Sequence, residues 1–166
     1  MNSKKFNVIS NTTPIIALAS IDKLELLPEI FKEITIPEAV RDEIMAGGRI
    51  KVPPVETIEW IKIEKNITDI KERLLLGLDD GEKQTILMGM ITNNVNNECL
   101  LLIDERKGRK IATSRGLRIK GTLGILAEAK RRKLIDDFKS FALKLLENNL
   151  YYDLRLIKAI SLVVDK

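Results

Sequence analysis

The chain has 166 residues, 45% of them apolar, and a mean hydropathy of -0.04, which are the size and composition of one globular domain. It has no histidine and a single cysteine, Cys99, which excludes Ser-His-Asp and Cys-His catalysis, histidine-containing zinc sites and an internal disulfide. No apolar run is long enough to span a membrane, no signal peptide is indicated, and the lone cysteine, expected as a buried apolar residue, favours a cytoplasmic setting.

Strand and helix signals alternate along the first half of the chain. In chain order we expect a strand over 6–10, helices over 15–20 and 22–31, a strand over 33–36 and a helix over 38–46. Thr12 or Thr13 caps the first helix, with Pro14 in its first turn, where the missing N–H costs nothing. Pro37 starts the third helix. The polar–apolar alternation over 58–63 predicts a half-exposed or edge strand.

The alternation continues through the second half. In chain order we expect helices over 67–76 and 81–92, a polar loop over 93–97, a strand over 99–103, a helix over 105–115, a strand over 117–120, and helices over 123–133, 136–147 and 153–164. Asp79 or Asp80 caps the helix at 81, and Thr122 caps the helix at 123. Strands alternating with helices predict one α/β domain with a largely parallel, doubly wound sheet.

Polar side chains follow the two most apolar strands. Asn11 follows the first of them and Asp104 the second, and ligands of such sheets bind at the carboxyl ends of the strands. A turn former at Asn11 and a helix N-cap at Asp104 are the structural alternatives. Glu43 and Glu82 lie in helices, where a solvated face shared with Asp42 and a favourable charge at a helix N-terminus are the alternatives. Four such oxygen-bearing side chains brought together would hold Mg²⁺ or Mn²⁺ and support phosphoryl displacement.

Positive charge is concentrated in one third of the chain. The segment 104–133 has eleven Lys and Arg against three Asp and Glu, a net +8, so the remainder carries -4 of the total +4. The basic residues are Arg106, Lys107, Arg109, Lys110, Arg115, Arg118, Lys120, Lys130, Arg131, Arg132 and Lys133. A polyanion-binding surface and a solvated helical face are the two interpretations of this segment.

Five segments of the sequence, in this order, resemble the PIN-domain proteins, and most closely a prokaryotic PIN-like branch of poorly assigned function. They are VISNTTPIIAL at 8–18, IPEAVRDEI at 36–44, LDDGE at 78–82, LLIDERKGR at 101–109 and GTLGIL at 121–126. The resemblance implies a single PIN-like α/β domain over 1–166, with a parallel sheet of about five strands flanked by helices. It places the core at 6–133 and C-terminal helices at 134–166.

The resemblance also implies a metal-dependent ribonuclease, in many relatives the toxin of a toxin–antitoxin pair. Carried over by position, the ligands of Mg²⁺ or Mn²⁺ are Asn11, Glu43, Glu82 and Asp104. The three carboxylates of this set are catalytic, and Glu105 is an auxiliary acid. Asn11 departs from the family pattern, because an amide oxygen can bind a hard cation but brings no charge, so the formal charge of the set falls from -4 to -3.

Nucleic-acid contacts are expected beside this set. Thr12 matches a hydroxyl residue that often follows the first acid, and the residues after Asp104 would contact phosphates. The predicted nucleic-acid-binding residues are Thr12, Arg106, Lys107, Arg109 and Lys110. No aromatic residue interleaves with the basic cluster, so base stacking is not the indicated mode.

Three functional hypotheses follow. The first is a PIN-type ribonuclease that hydrolyses RNA phosphodiesters. The second keeps the fold without catalysis, as a module that binds nucleic acid or an antitoxin partner, with Asn11 as its mark. The third, a receiver-like phospho-acceptor at Asp104, is disfavoured because Asn11-Thr12 supplies no carboxylate pair. The expected partners are RNA, a small antitoxin protein and a second copy of the chain. The apolar faces of the terminal helices would contact that copy, or else close the core.

Overall fold

Five short parallel strands form the centre of the fold. A computed structural model describes residues 6–69, 73–96 and 98–166. The strands are β1 (Asn7–Ser10), β2 (Ile34–Pro37), β3 (Ile61–Glu64), β4 (Cys99–Leu102) and β5 (Arg118–Lys120). Their order in the sheet is β3-β2-β1-β4-β5, and every pair is parallel. The structure confirms the predicted single α/β domain with a five-stranded parallel sheet. The strand expected over 58–63 is β3, which lies at the edge as predicted but begins only at Ile61.

Helices connect the strands and close the chain. They are α1 (Thr12–Ser20), α2 (Leu26–Phe31), α3 (Glu38–Met45), α4 (Asp80–Asn96), α5 (Arg106–Ser114), α6 (Thr122–Arg131), α7 (Phe138–Glu147) and α8 (Leu154–Val164). Short 3₁₀ turns lie at Val55–Thr57 and Arg73–Leu75. Within the described residues, no helix combines the length and the apolarity that crossing a membrane requires.

The sheet is buried on both faces, which explains why its central strands are apolar throughout. On one face, Val8 and Leu102 pack with α1, α2 and α6, and α7 and α8 extend this layer. On the other face, Ile9 and Leu101 pack with α4 and α5. Cys99 lies in the second layer, where burial raises the pKa of its thiol to about 11 and leaves it an apolar core residue, as expected.

The register between β1 and β4 positions the candidate site. Ser10 pairs with Leu102, and the backbone N–H of Asn11 donates to the carbonyl of Leu102 at 2.9 Å. The residues directly after β1 and directly after β4 therefore lie side by side. Because β2 and β4 flank β1 on opposite sides, this is the point where the strand order reverses, which is the usual ligand-binding position of such sheets.

The largest differences from the predicted helices and loops lie in three segments, 22–31, 67–76 and 93–97. The helix expected over 67–76 is absent from the described part of that segment apart from the 3₁₀ turn at Arg73–Leu75, and residues 70–72 lie outside the described residues. The side-chain amide of Gln84 explains the difference at Ile67, because it binds both the N–H and the carbonyl of that residue. The helix expected over 22–31 begins at Leu26, since the chain first turns through Asp22 at φ 52°.

The polar segment 93–97 is helical through Asn96 rather than a loop, and residue 97 lies outside the described residues. Helix α4 packs against β1, β2 and β4. These tertiary contacts outweigh the low helix propensity of the asparagines, which is a weak effect at each residue.

Candidate functional site

Asn11 is buried at the carboxyl end of β1, with 1% of its surface exposed. It is the N-cap residue of α1 but makes no side-chain cap hydrogen bond, and neither do Thr12 or Thr13, which were expected to cap that helix. Its Nδ2 instead donates to Glu105 Oε2 at 3.3 Å. Its Oδ1 is buried and has no hydrogen-bond partner among the described residues. A buried carbonyl oxygen without a partner is costly, so this atom is available to a ligand.

Glu43 lies on α3 and reaches the same edge of the sheet. The hydroxyl of Thr12 donates to its Oε2, and the backbone N–H of Gly81 donates to its Oε1 at 2.8 Å. Glycine at position 81 leaves room for this arrangement, because a Cβ there would lie 2.6 Å from Glu43 Oε2 and would displace the carboxylate. Glu43 therefore faces the site rather than a solvated helical surface. Thr12, predicted to contact nucleic acid, is the residue that holds Glu43.

Glu82 lies in the first turn of α4. Its N–H donates to Asp79 Oδ1 at 2.7 Å, and its Oε2 accepts from the Asp79 N–H at 3.3 Å, so the pair caps the helix reciprocally, as the sequence predicted for Asp79. Its Oε1 is buried and unpartnered among the described residues. Burial and, after it, the nearby charges of Asp79, Glu105 and Glu43 together raise the pKa of Glu82 to about 7.

Asp104 follows β4 but is turned towards α6. Its Oδ1 accepts from the Thr122 N–H at 2.7 Å, and its Oδ2 accepts from the Thr122 hydroxyl at 2.6 Å and from the Tyr152 hydroxyl at 2.7 Å. Asp104 thus caps the helix that follows β5, and Gly121, not Thr122, is the N-cap residue of that helix. Burial raises the pKa of Tyr152, and the charge of Asp104 raises it further, so the tyrosine stays a donor.

Glu105 is turned towards β1, away from Asp104. Its Oε2 accepts from Asn11, and its Oε1 accepts from the hydroxyl of Thr13. The two acids that end β4 therefore face different neighbours. Glu105, expected only as an auxiliary acid, is joined to the first residue of the predicted metal-ligand set.

The structure brings Asn11, Glu43 and Glu82 to one edge of the sheet, together with Glu105. The orphaned Oδ1 and Oε1 atoms and the raised pKa of Glu82 show a site with unsatisfied acceptors and more negative charge than its surroundings balance. As the side chains stand in the described ranges, no three acidic, cysteine or histidine residues are close enough together to hold a metal ion.

The predicted nucleic-acid-binding side chains on α5 differ in whether they already bind groups of the protein. Arg109 is half-buried, and its Nη1 donates to the carbonyl of Ile103 at 2.9 Å. Lys107 is exposed, and its Nζ donates to the carbonyl of Leu76 at 3.4 Å. Arg106 and Lys110 are exposed and lie one turn apart on the same face of the helix.

The end of the basic segment lies away from these acids. Helix α6 begins beside Asp104 and its ten residues rise about 15 Å, so Arg131 and Lys133 lie near the opposite edge of the sheet. A cleft of about 730 Å³ opens there, and its lining includes Arg118, Lys120 and Arg132. The positive charge that is continuous in sequence is therefore divided between two ends of the fold.

Sequence reasoning missed three residues of this site. Thr13 and Asp79 hold Glu105 and Glu82, and both are visible in sequence only as ordinary helix-start residues. Tyr152 is 48 residues beyond Asp104 and has no motif around it. No spacing rule connects it to a strand end.

Comparison with known families gives one result. A family profile described as DUF3368, PIN domain, matches residues 7–165, nearly the whole chain. Neither curated proteins nor solved structures gave a significant match. The five-stranded parallel sheet and the profile agree on the fold, a nuclease-type α/β domain. The chain belongs to the DUF3368 family of PIN domains.

Proposed function

We propose that this protein is a metal-dependent ribonuclease of PIN type. The observation that carries the proposal is the pair of buried, unpartnered oxygens, Asn11 Oδ1 and Glu82 Oε1, beside the carboxylates of Glu43 and Glu105. Buried polar atoms in folded proteins normally have partners, and the exceptions include atoms that a bound ion or water satisfies. The family membership gives the reaction class, because a PIN domain is a nuclease-type fold.

The donor atoms are of the kind that a hard divalent cation prefers. Asn11, Glu43 and Glu82 present oxygens, which suits Mg²⁺ or Mn²⁺, and a carboxylate after β4 completes the set. These side chains would have to move closer together to bind an ion, since no three of the acids in the described residues are close enough as they stand. A cation would also offset the burial and the neighbouring charges that raise the pKa of Glu82. When bound, such an ion supplies a water of lowered pKa and stabilises the charge that develops on a phosphoryl group.

The chain's own residues do the positioning. Thr12 and the Gly81 N–H hold both oxygens of Glu43, and Asp79 holds one oxygen of Glu82. These contacts fix the direction of the carboxylates before a ligand arrives, which reduces the cost of binding. Arg106 and Lys110, in the helix that follows the acids, would contact the phosphates of the RNA on either side of the cleaved bond.

Cleavage of a generic single-stranded RNA with Mn²⁺ or Mg²⁺, and its loss in EDTA, tests the proposal. We expect Glu43→Gln to lower the cleavage rate by about 100-fold or more, because it removes a charged ligand. Asp42→Asn is the matched control, since Asp42 is exposed and pairs with Arg41. No cleavage by the wild type with either ion, or equal rates for the Glu43→Gln and Asp42→Asn variants, would contradict the proposal.

Binding of RNA is expected to depend on α5. Replacing Arg106 and Lys110 by glutamine should make RNA binding less sensitive to salt. The slope of log binding constant against log salt concentration should become shallower by about 1.4, because two phosphate contacts are lost. The control is Arg131→Gln with Lys133→Gln, which removes the same charge at the other end of the fold. Filter binding at salt concentrations from about 50 to about 200 mM measures both slopes. Equal losses in the two double variants would mean that net charge alone binds RNA.

Asn11 favours a second candidate function. A neutral residue in the first ligand position weakens metal binding, so the same fold could bind nucleic acid or an antitoxin protein with little cleavage. The toxin role, the antitoxin and a homodimer are proposals of the same kind. Leu156, Leu162 and Val163, exposed on α8, are the apolar side chains with which a protein partner would make contact.

A further inference from the structure

We infer that Glu105, and not Asp104, is the last carboxylate of the metal site, and that Asp104 is a structural residue that anchors the C-terminal segment. The inference rests on the proposed metal-dependent function. The two acids are adjacent in sequence, and both follow β4, so position along the chain does not distinguish them.

The oxygens of Asp104 are already used. Three donors point at them, the N–H and the hydroxyl of Thr122 and the hydroxyl of Tyr152, all within 2.7 Å. A carboxylate accepts about four hydrogen bonds in total, so little capacity is left. Binding a cation through Asp104 would require breaking contacts that also satisfy the first turn of α6.

Packing closes the same region. A Cβ at Gly121 would lie 2.8 Å from Asp104 Oδ1 and 2.7 Å from Arg109 Nη1. The half-buried carboxylate therefore lies against α6 and the segment that carries Tyr152, with the Arg109 guanidinium nearby. These neighbours suit a structural anchor, because they fix both oxygens towards protein donors.

Glu105 has different hydrogen-bond partners, although its charge also reaches Tyr152. Its two partners, Asn11 and Thr13, follow β1, and its charge acts on Glu82. Both unpartnered oxygens lie on residues that interact with Glu105. Asn11, which carries the unpartnered Oδ1, donates to Glu105, and Glu82, which carries the unpartnered Oε1, is affected by the charge of Glu105. Both residues are more than nine-tenths buried. The side of the site that lacks donors is thus the side that Glu105 faces.

With Glu105 as a ligand, both polar atoms of the Asn11 side chain have a role. Its amide donates through Nδ2 to Glu105 and leaves Oδ1 for a cation, which a carboxylate in the same position could not do. The proposed ligand set is Asn11, Glu43, Glu82 and Glu105. Thr13 is a positioning residue for Glu105.

Two adjacent substitutions test the inference. Glu105→Gln and Asp104→Asn each remove one charge, and Mn²⁺ affinity is measured by calorimetry and by the Mn²⁺-dependent rise in Tm. We expect Glu105→Gln to weaken Mn²⁺ binding by about tenfold or more, and Asp104→Asn to change it by less than about threefold. The reverse order, or equal losses, would overturn the inference and leave the proposed function standing. A wild type that binds no Mn²⁺ would overturn both.

Tyr152→Phe guards against misfolding of the Asp104 variant. It removes the hydroxyl that Asp104 accepts from and keeps the carboxylate. We expect a lower Tm in EDTA with unchanged Mn²⁺ affinity, because the contact is structural. If Tyr152→Phe instead weakened Mn²⁺ binding about tenfold, Asp104 would belong to the metal site and the inference would be wrong.

Discussion

Replacing Glu82 by glutamine is expected to stabilise the metal-free protein while it abolishes Mn²⁺-dependent cleavage. The stability gain arises because Glu82 is 6% exposed, and its pKa is raised to about 7 by burial and by neighbouring carboxylates. Glutamine removes the charge, and its oxygen can still accept from the Asp79 N–H. Cleavage should fall by about 100-fold or more, because a ligand charge is lost.

The stability effect has a defined pH dependence. Because the pKa of Glu82 is higher in the folded protein than its ordinary value of 4.5, the wild type carries no penalty below pH 4.5 and the full penalty above about pH 7. Each unit of pKa corresponds to about 1.4 kcal/mol, and solvent screening reduces the total, so we expect about 1–2 kcal/mol at pH 8. The advantage of Glu82→Gln should vanish near pH 4.5.

Urea unfolding in EDTA at pH 5 and pH 8 measures this dependence. Asp80→Asn is the control, because Asp80 lies in the same first turn of α4 and its side chain is exposed. A Glu82→Gln variant less stable than the wild type at pH 8 would show that Glu82 is satisfied by protein groups in the folded state. Glu82 would then need no cation to satisfy its buried Oε1.

The fold was predictable because the sequence features that indicate strands and helices recur along the chain. Apolar strands such as β1 and β4 alternate with capped helices, and a strand–helix alternation leaves few topologies besides a parallel doubly wound sheet. The helix expected over 67–76 was a wrong prediction, because a side chain takes the place of backbone hydrogen bonds there. Gln84 binds both backbone groups of Ile67, and nothing in the local sequence of 67–76 shows that a glutamine on α4 will do so.

The approximate position of the site was also predictable from the order of strands and helices, but the orientation of its individual side chains was not. Glu43 and Glu82 follow from helices that begin at the carboxyl edge of the sheet. The family resemblance selects Asp104 over Glu105 by its place in the motif alone. Successive residues of an extended chain point to opposite sides, and the motif does not show which side faces the site. One of them had to face α6 and the other β1. Which one depends on Thr122 and Tyr152, and Tyr152 lies far along the chain.

Asn11→Asp is expected to make the protein depend on metal for its stability. Asn11 Nδ2 and Glu105 Oε2 are 3.3 Å apart, so the variant places two carboxylates where a hydrogen bond now lies. We expect a loss of about 1–2 kcal/mol in EDTA, from the lost hydrogen bond and the new repulsion. Mn²⁺ should restore this loss and bind about tenfold more tightly, because the site gains an anionic ligand.

Asn7→Asp is the control, because it makes the same chemical change at the other end of β1. Tm in EDTA and in Mn²⁺ measures the stability terms. An Asn11→Asp variant with the wild-type Tm in EDTA would contradict the Asn11–Glu105 contact.

Cleavage by Asn11→Asp separates the two functions proposed for the protein. If Asn11 is a competent neutral ligand, the variant should exceed the wild type about tenfold at limiting Mn²⁺ and match it at saturating Mn²⁺, because only affinity has changed. A large excess that persists at saturation would mean that the amide limits the reaction itself. The native chain would then be a PIN domain used mainly for binding, with a site that one carboxylate restores to catalysis.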